Sequence, residues 1–323
     1  QEYPIINHLT FYYPDERGTY QEVKTGNLYP FAHRPVINRS FIFPQTIEAG
    51  GEKTFYFRYQ TQTSINIDLS VLSHRSFRKI KDNEIIFYSL FVGIFLVMFI
   101  YKLIIFFATR DWSYFFYIMY IASFGLFTMS MSGLARQYLW PNNIWLGSFS
   151  TPISMSGVIL SFVPFMISYN NMRLYSETWE RILKAYIAVV AVFFMLIVLV
   201  FNYRTSINAA TALSGFSAIL GIIWSVHFVF VKKSRPALIF SFALIIFFAG
   251  VIMKVLQLAG VISATLLASN CVYIGAIFQI IILSFGFVDR INLMRNELRT
   301  LNEGLELKVL ERIAELQSAN KEI

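Results

Sequence analysis

Seven long apolar runs between Glu84 and Arg290 constrain this chain more than any other feature of its sequence. Each run is roughly 20 residues or longer, the length that an α-helix needs to cross ~30 Å of hydrocarbon. The runs predict helices at about 84–108, 112–132, 145–169, 179–202, 206–231, 236–258 and 265–289. Because lipid cannot satisfy backbone hydrogen bonds, a segment that crosses it must be a helix or part of a closed barrel. We therefore predict an all-α membrane bundle of seven helices.

The composition agrees with a membrane protein. Hydrophobic residues make up 56% of the 323 residues and charged residues only 14%, whereas about 25% of a soluble domain is charged. The net charge is +8, which in a soluble protein would suggest a nucleic-acid partner. Here the basic residues gather in loops at the membrane surface, so we expect the lipid bilayer and no nucleic acid as a partner.

The charge of the loops predicts the orientation of the bundle. With the amino terminus outside, the inner loops carry most of the basic residues, namely Arg110, Arg173, Arg181, Lys184, Lys232, Lys233, Arg235, Arg290 and Arg295. The outer loops carry only Arg136 and Arg204, as the positive-inside rule requires. The basic group at residues 75–81 runs against the rule, but it adjoins a folded domain, and such domains translocate largely regardless of charge. We predict a cytoplasmic carboxyl terminus.

The first 83 residues have the alternation and the turn residues of an antiparallel all-β domain. Apolar and aromatic residues alternate in three segments, which predict strands at 38–43, 53–60 and 65–71. Turn signals lie at residues 14–18, with the sequence Pro-Asp-Glu-Arg-Gly, and at Gly50-Gly51. We predict a jelly-roll-like β-sandwich over residues 1–83. Because so few residues seldom make two sheets, we expect its first strands to be missing from this sequence.

One segment of the outer domain, Tyr29 to Arg39, has the residue types of a binding surface. Arg34 and Arg39 lie five residues apart between aromatic and proline residues, and Phe31 precedes them. Guanidinium groups beside an aromatic ring can hydrogen-bond to a sugar or a carboxylate and stack on it. We therefore consider Phe31, Arg34 and Arg39 candidate ligand-binding residues. The alternatives are that the arginines brace a loop or form the contact between the outer domain and the membrane bundle.

Ionisable side chains inside the predicted spans are few, which bears on every function that needs chemistry within the membrane. Lys102 and Lys254 lie near helix ends, so we expect their ammonium groups to reach the membrane surface. No intramembrane carboxylate accompanies them, and a proton relay is not predicted. The histidines lack the spacing of metal ligands, and we expect neither a metal nor a cofactor.

The seventh run continues into a charged helical pattern over residues 291–323. Apolar residues recur at steps of three and four, at Ile291, Met294, Leu298, Leu301, Leu305, Val309, Ile313, Leu316 and Ile323, with Asn320 at the remaining position. This spacing is typical of the seam of a coiled coil. The other faces are rich in Glu, Lys and Arg, which favours a parallel dimeric coiled coil over a helix packed on its own bundle. We predict a homodimer.

Four short motifs occur in order along the chain. They are Pro30-Phe31-x-x-Arg34-Pro35-x-x-x-Arg39 with Phe41-x-Phe43-Pro44, Thr109-Arg110-Asp111-x-Ser113-Tyr114, Tyr138-Leu139-Trp140-Pro141 and Asp289-Arg290-Ile291-Asn292. The tail adds the pair Glu311-Arg312, which is followed by Ile313. Signalling coiled coils that resemble this tail commonly have threonine at the position after the Glu-Arg pair. In this order the motifs resemble those of the bacterial seven-transmembrane receptors with diverse intracellular signalling modules (7TMR-DISM). The resemblance covers nearly the whole chain.

The resemblance implies a sensory receptor of the bacterial inner membrane with its amino terminus in the periplasm. If the resemblance holds, residues 1–83 would bind a carbohydrate-like or other small molecule and residues 84–290 would form the membrane bundle. Residues 291–323 would pass the signal to a histidine kinase or a diguanylate cyclase, as in a two-component or related system. Candidate signal-relay residues from the motifs are Arg110, Asp111, Tyr138, Trp140, Asp289 and Arg290. No kinase or cyclase motif precedes Ile323, so we expect no catalytic activity in this chain.

Three other functions stay open at this point. A small-solute transporter would need a midplane site made by broken helices and an internal repeat. Pro152 and Pro164 could break the third helix, but no other half of the chain matches it. An intramembrane enzyme would need a nucleophile with its base, or metal ligands, at membrane depth. A receptor for a lipid or another apolar ligand would need an apolar cavity in the bundle that opens to the membrane.

Overall fold

The computed structural model of this chain describes residues 6–61, 67, 69–170, 172, 176–199, 202–232, 235–263 and 265–319. Residues 1–221 form one compact unit, and residues 222–323 form a second. The first unit contains an outer β-sheet and most of the helices. The second contains the long helix that includes the tail.

Three strands form the outer sheet. They are β1 (His8–Pro14), β2 (Tyr20–Thr25) and β3 (Tyr56–Gln60), paired antiparallel in the order β2-β1-β3. The predicted turn at residues 14–18 joins β1 to β2. In it, the Asp15 carboxylate accepts the backbone N–H groups of Arg17 and Thr19, each at 2.9 Å. Gly18 has a φ of 79°, a conformation that glycine adopts without steric cost. The turn prediction is confirmed.

Residues 38–43 are not a strand, and that prediction was wrong. Phe41 is nevertheless only 1% exposed, in the core of the sheet. The backbone carbonyls of Asn38 and Arg39, which a strand would use for pairing, accept hydrogen bonds from Arg34 instead. The alternation of aromatic residues thus reflects burial against the sheet without strand pairing.

Over the residues that the structure describes, the outer domain contains one three-stranded sheet and not two packed sheets. The predicted strand at 65–71 falls partly on residues 65, 66 and 68, which lie outside the described residues, and residues 67 and 69–71 are not in a strand. The predicted strand at 53–60 is confirmed in its second half by β3. β1 and β2 were not predicted, although the turn between them was.

Seven long helices occupy the predicted crossings in the described part of the chain. They are α1 (His74–Thr109), α2 (Trp112–Met131), α4 (Ile144–Tyr169), α5 (Glu177–Leu199), α6 (Tyr203–Lys232), α7 (Arg235–Leu258) and α8 (Leu266–Ala319). Six of these are long and apolar enough to cross a membrane when the described residues are considered. The remaining one, α5, begins with a charged turn that contains Glu177 and Glu180 and continues as an apolar helix.

Two features of the helices differ from the prediction. α1 begins at His74, ten residues before the predicted start at 84. The Ser73 hydroxyl accepts the N–H of Ser76 at 3.2 Å, and such a cap stabilises a helix start in polar sequence. A five-residue helix, α3 (Leu134–Tyr138), lies between α2 and α4 and was not predicted.

The long helix α8 contains 54 residues and runs from the predicted seventh crossing into the tail without a break. This continuity was predicted and is confirmed. Within the single chain the apolar seam of the tail is open, since Leu298 is 61% and Leu305 59% exposed. Asn320, the polar residue expected in the seam, lies outside the described residues. Pairing of the seam with a second copy stays a prediction.

Close backbone approach holds α7 against α8. A Cβ added to Gly250 of α7 would lie 2.6 Å from the backbone oxygen of Cys271. On α8, a Cβ added to Gly275 would lie 3.4 Å from the backbone oxygens of Ile246 and Phe247. Small residues at such positions let membrane helices pack by van der Waals contact, which drives their association in lipid.

We predict that Gly250→Ala destabilises the chain by about 1–3 kcal/mol, because the methyl group forces α7 and α8 apart. The matched control is Gly215→Ala in α6, where an added Cβ meets nothing within 4 Å and the change should be neutral or slightly stabilising. Thermal unfolding in detergent measures both. Equal melting temperatures for the two variants would contradict the close approach.

Candidate functional site

The loop that carries the predicted binding residues folds around Arg34. We call residues 29–41 the arginine loop. The Arg34 guanidinium carbon lies 4.6 Å from the centroid of the Phe31 ring and 4.2 Å from that of Phe41. Its Nη1 donates to the carbonyl oxygens of Asn38 at 2.7 Å and of Arg39 at 2.6 Å. The side chain is thus held between two rings and closes the loop on itself.

Burial gives this arginine an unusual electrostatic setting. Arg34 is 6% exposed. Burial, with a smaller contribution from the positive charge of Arg136, lowers the pKa of Arg34 to about 9. The guanidinium therefore stays protonated at neutral pH. A buried charge is costly unless it is compensated, and here two carbonyl dipoles and two ring faces compensate it.

Arg39 connects the arginine loop to the first two membrane helices. Its Nη2 forms an ion pair with Glu84 of α1 at 2.5 Å, and the two side chains are 12% and 23% exposed. Its Nη1 donates to the carbonyl oxygen of Ser132, the residue that caps the end of α2, at 3.2 Å. Its guanidinium carbon lies 4.9 Å from the ring centroid of Tyr88, one turn along α1.

A third arginine makes the reciprocal connection from the bundle. Arg136 of α3 is 5% exposed. Its Nη2 donates to the carbonyl oxygen of Tyr29 at 2.8 Å, and its Nη1 donates to that of Asn143 at 2.9 Å. Burial lowers the pKa of Arg136. Nearby, the N–H of Phe31 donates to the carbonyl oxygen of Pro141 at 3.2 Å.

We call this assembly the outer junction. It consists of the arginine loop and of Glu84, Ser132, Arg136 and Pro141 on the helical side. Glycine at position 147 leaves room for this side chain, since an added Cβ would lie 1.7 Å from Nη1 of Arg136 and would displace it. The junction is built from hydrogen bonds and an ion pair, so its geometry depends on direction as well as distance.

The predicted ligand-binding residues have unequal access to the surface. Phe31 and Arg34 are 4% and 6% exposed and lie inside the arginine loop. The described contacts of the Arg39 side chain are all with the helical bundle. This geometry favours the alternatives weighed from the sequence, in which Arg34 braces the loop and Arg39 forms the contact with the bundle. Direct ligand contact by any of the three stays a prediction.

The predicted relay residues lie in several different places. Tyr138 at the end of α3 is 68% exposed. Trp140 follows α3, and its indole Nε1 is buried with no hydrogen-bond partner among the described residues. Asp289 and Arg290 lie within α8, where the helix passes from the predicted crossing into the tail. The role of these residues in relay stays a prediction.

Arg110 and Asp111 form the tight connection between α1 and α2. Arg110 has a φ of 55°, the left-handed conformation that ends a helix, and its N–H donates to the carbonyl of Phe106 at 2.8 Å. Asp111 caps α2, because its carboxylate accepts the N–H of Ser113 at 2.8 Å. The Ser113 hydroxyl in turn lies 2.8 Å from that of Ser168 on α4. This motif therefore sets the geometry of a helix connection.

Glu84 and Arg136 were missed as site residues, although the sequence contains signals for both. Glu84 is an acid at the very start of the first apolar run, and Arg136 is one of two basic residues in the predicted outer loops. A charge at either position is unfavourable unless it is paired.

The structure places Lys102 differently from the sequence-based prediction. It is 1% exposed and faces the rings of Tyr101, Tyr114 and Tyr117 at 5.0, 5.8 and 5.7 Å, so the prediction that it reaches the membrane surface was wrong.

We predict that Arg136→Ala loosens the arginine loop without unfolding the bundle, because the Tyr29 and Asn143 carbonyls lose their donor. Hydrogen exchange at the amides of residues 29–34 should accelerate by about tenfold, the effect of losing a charge-assisted hydrogen bond. Arg204→Ala, at an exposed outer arginine, is the control and should leave exchange unchanged. Equal exchange in both variants would contradict this role of Arg136.

Two protein-family models match the chain. The family described as 7TM diverse intracellular signalling matches residues 84–290, and the one described as 7TMR-DISM extracellular 2 matches residues 1–73. Comparisons with curated proteins and with solved structures find no match. The first family match alone covers more than half of the 323 residues, and the resemblance seen in the sequence motifs is confirmed. The chain belongs to the 7TMR-DISM family, the seven-transmembrane receptors with diverse intracellular signalling modules.

Proposed function

We propose that this receptor couples a carbohydrate-like or other small-molecule ligand outside the membrane to a cytoplasmic output such as a histidine kinase or a diguanylate cyclase. Membership of the family gives the coarse function, a transmembrane sensory receptor with an extracellular domain. The ligand class, the dimer and the output are our proposals. The apolar helices make the lipid bilayer a partner, and the proposed orientation has the amino terminus in the periplasm and the carboxyl terminus in the cytoplasm of a bacterium.

The outer junction is the observation that carries the proposal. A receptor must connect the domain that meets the signal to the helices that transmit it. Here the same arginine loop takes part in the core of the outer sheet through Phe41 and reaches α1 and the end of α2 through Arg39. A ligand that shifts the loop would therefore act directly on the outer ends of two membrane helices.

In this mechanism the arginine loop is the two-state element. A ligand can change the balance between two arrangements only if it binds one of them more tightly. The hydrogen bonds of Arg34 and Arg39 are directional. A small displacement of the loop would therefore break these hydrogen bonds and form others instead of stretching the same bonds gradually. Arg34 braces the loop and Arg39 transmits its position. Phe31, buried beside Arg34, sets the packing of the loop.

The proposed output element is the tail of α8. A continuous helix transmits rotation or translation along its axis without a hinge, and α8 is unbroken over 54 residues. The exposed seam from Met294 to Ile313 offers apolar surface to a second copy. In the dimer, two packings of this seam would correspond to the two signalling states.

We predict that Arg39→Ala abolishes the response to ligand while the chain stays folded. The full chain in nanodiscs, with Leu305→Cys as a cross-linking reporter in the tail, is exposed to a panel of mono- and disaccharides and small dicarboxylates. At least one compound should change the cross-linking yield, and Arg39→Ala should remove that change. The control is Arg58→Ala on β3, an exposed arginine of the same domain, which should respond like the parent.

The exchange variant Arg39→Glu with Glu84→Arg should recover part of the response, because it restores the ion pair but not the hydrogen bond to Ser132. An Arg39→Ala variant that responds like the parent would refute transmission through the junction. A panel in which no compound changes the yield would count against this ligand class.

We predict that the tail makes the receptor a dimer. The mass of the full chain in nanodiscs should be that of two copies, and removal of residues 291–323 should reduce it to one. Leu305→Lys on the seam should also weaken the dimer by more than tenfold, because it places a charge in an apolar interface. Leu307→Lys is the matched control, since Leu307 is similarly exposed at 69% but lies off the seam. A monomer with the tail intact would rule out the coiled coil.

A further inference from the structure

A groove between α7 and α8 has an apolar floor and two opposite charges at its edge. Its volume is about 480 Å³, within the range of small-molecule sites. The lining residues on α7 are Arg235, Leu238, Ile239 and Phe242, and those on α8 are Ile282, Phe285 and Asp289. Both sets follow helical spacing of three and four, so each lies on one face of its helix.

The apolar part of the groove is open to the surroundings of the chain. Phe285 is 70%, Leu238 57% and Phe242 55% exposed. All three lie in helices that are apolar enough to cross a membrane. In a bilayer such side chains contact acyl chains, since water is excluded at that depth. The floor of the groove thus suits a hydrocarbon chain.

The charges at the edge are what distinguish this groove from ordinary lipid-facing surface. Arg235 is the first residue of α7, and Asp289 lies one turn beyond Phe285 on α8. No ion pair joins them in the described part of the chain, although both line the same groove. The amino-terminal end of α7 adds positive potential on the side of Arg235.

We propose that this groove binds one phospholipid with an amine-bearing zwitterionic headgroup, the chemistry of phosphatidylethanolamine. The phosphate lies against Arg235 and the start of α7, the ammonium donates to the Asp289 carboxylate, and an acyl chain occupies the apolar floor. An anionic headgroup without an amine would leave the Asp289 carboxylate without a cationic partner in the headgroup. A quaternary ammonium such as choline has no N–H to donate, so it pairs less well with a carboxylate.

The position of the site gives the lipid a role beyond filling space. Asp289 belongs to the helix that continues through residue 319, so a headgroup held there favours one position of α8 relative to α7. A lipid that binds one arrangement more tightly shifts the population toward it. This inference rests on contacts within residues 235–289 and is independent of the outer junction.

The test is native mass spectrometry of the delipidated full chain, with equal amounts of phosphatidylethanolamine, phosphatidylglycerol and phosphatidylcholine added. Phosphatidylethanolamine should bind at least fivefold more than either competitor. Asp289→Asn should reduce its preference over phosphatidylglycerol by about twofold to fivefold, the usual range for exposed ion pairs. Arg235→Gln should lower the binding of both. Leu238→Trp, which fills the groove without changing charge, should lower the binding of all three lipids.

Two controls on the exposed part of α8 remove charges of each sign outside the groove. Arg295→Gln and Glu306→Gln should leave lipid selectivity unchanged. Equal binding of the three lipids, or variants that bind like the parent, would mean that the groove contacts only bulk lipid and would overturn the proposal. A preference for phosphatidylglycerol that survives Asp289→Asn would also overturn it, because Asp289 would then not take part.

Discussion

The ion pair between Arg39 and Glu84 is the interaction on which the outer part of the molecule depends. It lies at the end of a chain of arginine contacts. Arg34 donates to the carbonyl of Arg39, and Arg39 donates to the carbonyl of Ser132. The fold of the loop and its attachment to the bundle are therefore not separate events. The pair is only partly exposed, so solvent screens it less than a surface pair.

The use of arginine at these positions has a physical reason. A guanidinium presents several donors in a fixed plane and stacks on aromatic rings. Arg34 uses both properties, since it serves two carbonyls while lying between two phenylalanine rings. A lysine ammonium could donate to both carbonyls, but it has no planar face to stack between the two rings. The loop is therefore fixed by side-chain geometry over a stretch that lacks strand pairing.

The membrane part of the fold could be predicted from the sequence because lipid imposes a strict rule. A span must be helical and about 20 residues long, so apolar length alone gave most helix ends to within a few residues. The start of α1 at His74 could not be found this way, since its first turns are polar and depend on the Ser73 cap. The same holds for α3, whose five residues are too few for a periodic pattern.

The outer domain was harder to predict because aromatic alternation has two causes. β3 uses it for strand pairing, whereas residues 38–43 use it to bury Phe41 after Arg34 has taken the backbone carbonyls. Whether such a segment pairs as a strand depends here on the hydrogen bonds that Arg34 donates to the carbonyls of Asn38 and Arg39. A periodic pattern of apolar residues does not reveal these hydrogen bonds. In the site, Arg34 and Arg39 were found from their residue types. Their partners Glu84 and Ser132 are distant in sequence and required the structure.

The structure also bears on the rival functions. Pro152 and Pro164 lie inside α4 without ending it, so this helix is not broken in the way that a transporter site requires. The proposed receptor function assigns binding to the outer domain, and the proposed lipid site lies in the groove between α7 and α8.

The central claim is that the arginine loop and the helical bundle are energetically coupled through Arg39 and Glu84. A double-mutant cycle with Arg39→Ala and Glu84→Ala tests it most directly, with the opening free energy of the loop measured by hydrogen exchange at residues 31–34. The account predicts a coupling energy of at least about 1 kcal/mol, with the double variant little worse than either single one. Additive effects with a coupling energy near zero would show that the pair is incidental and that the loop is held to the bundle by other contacts.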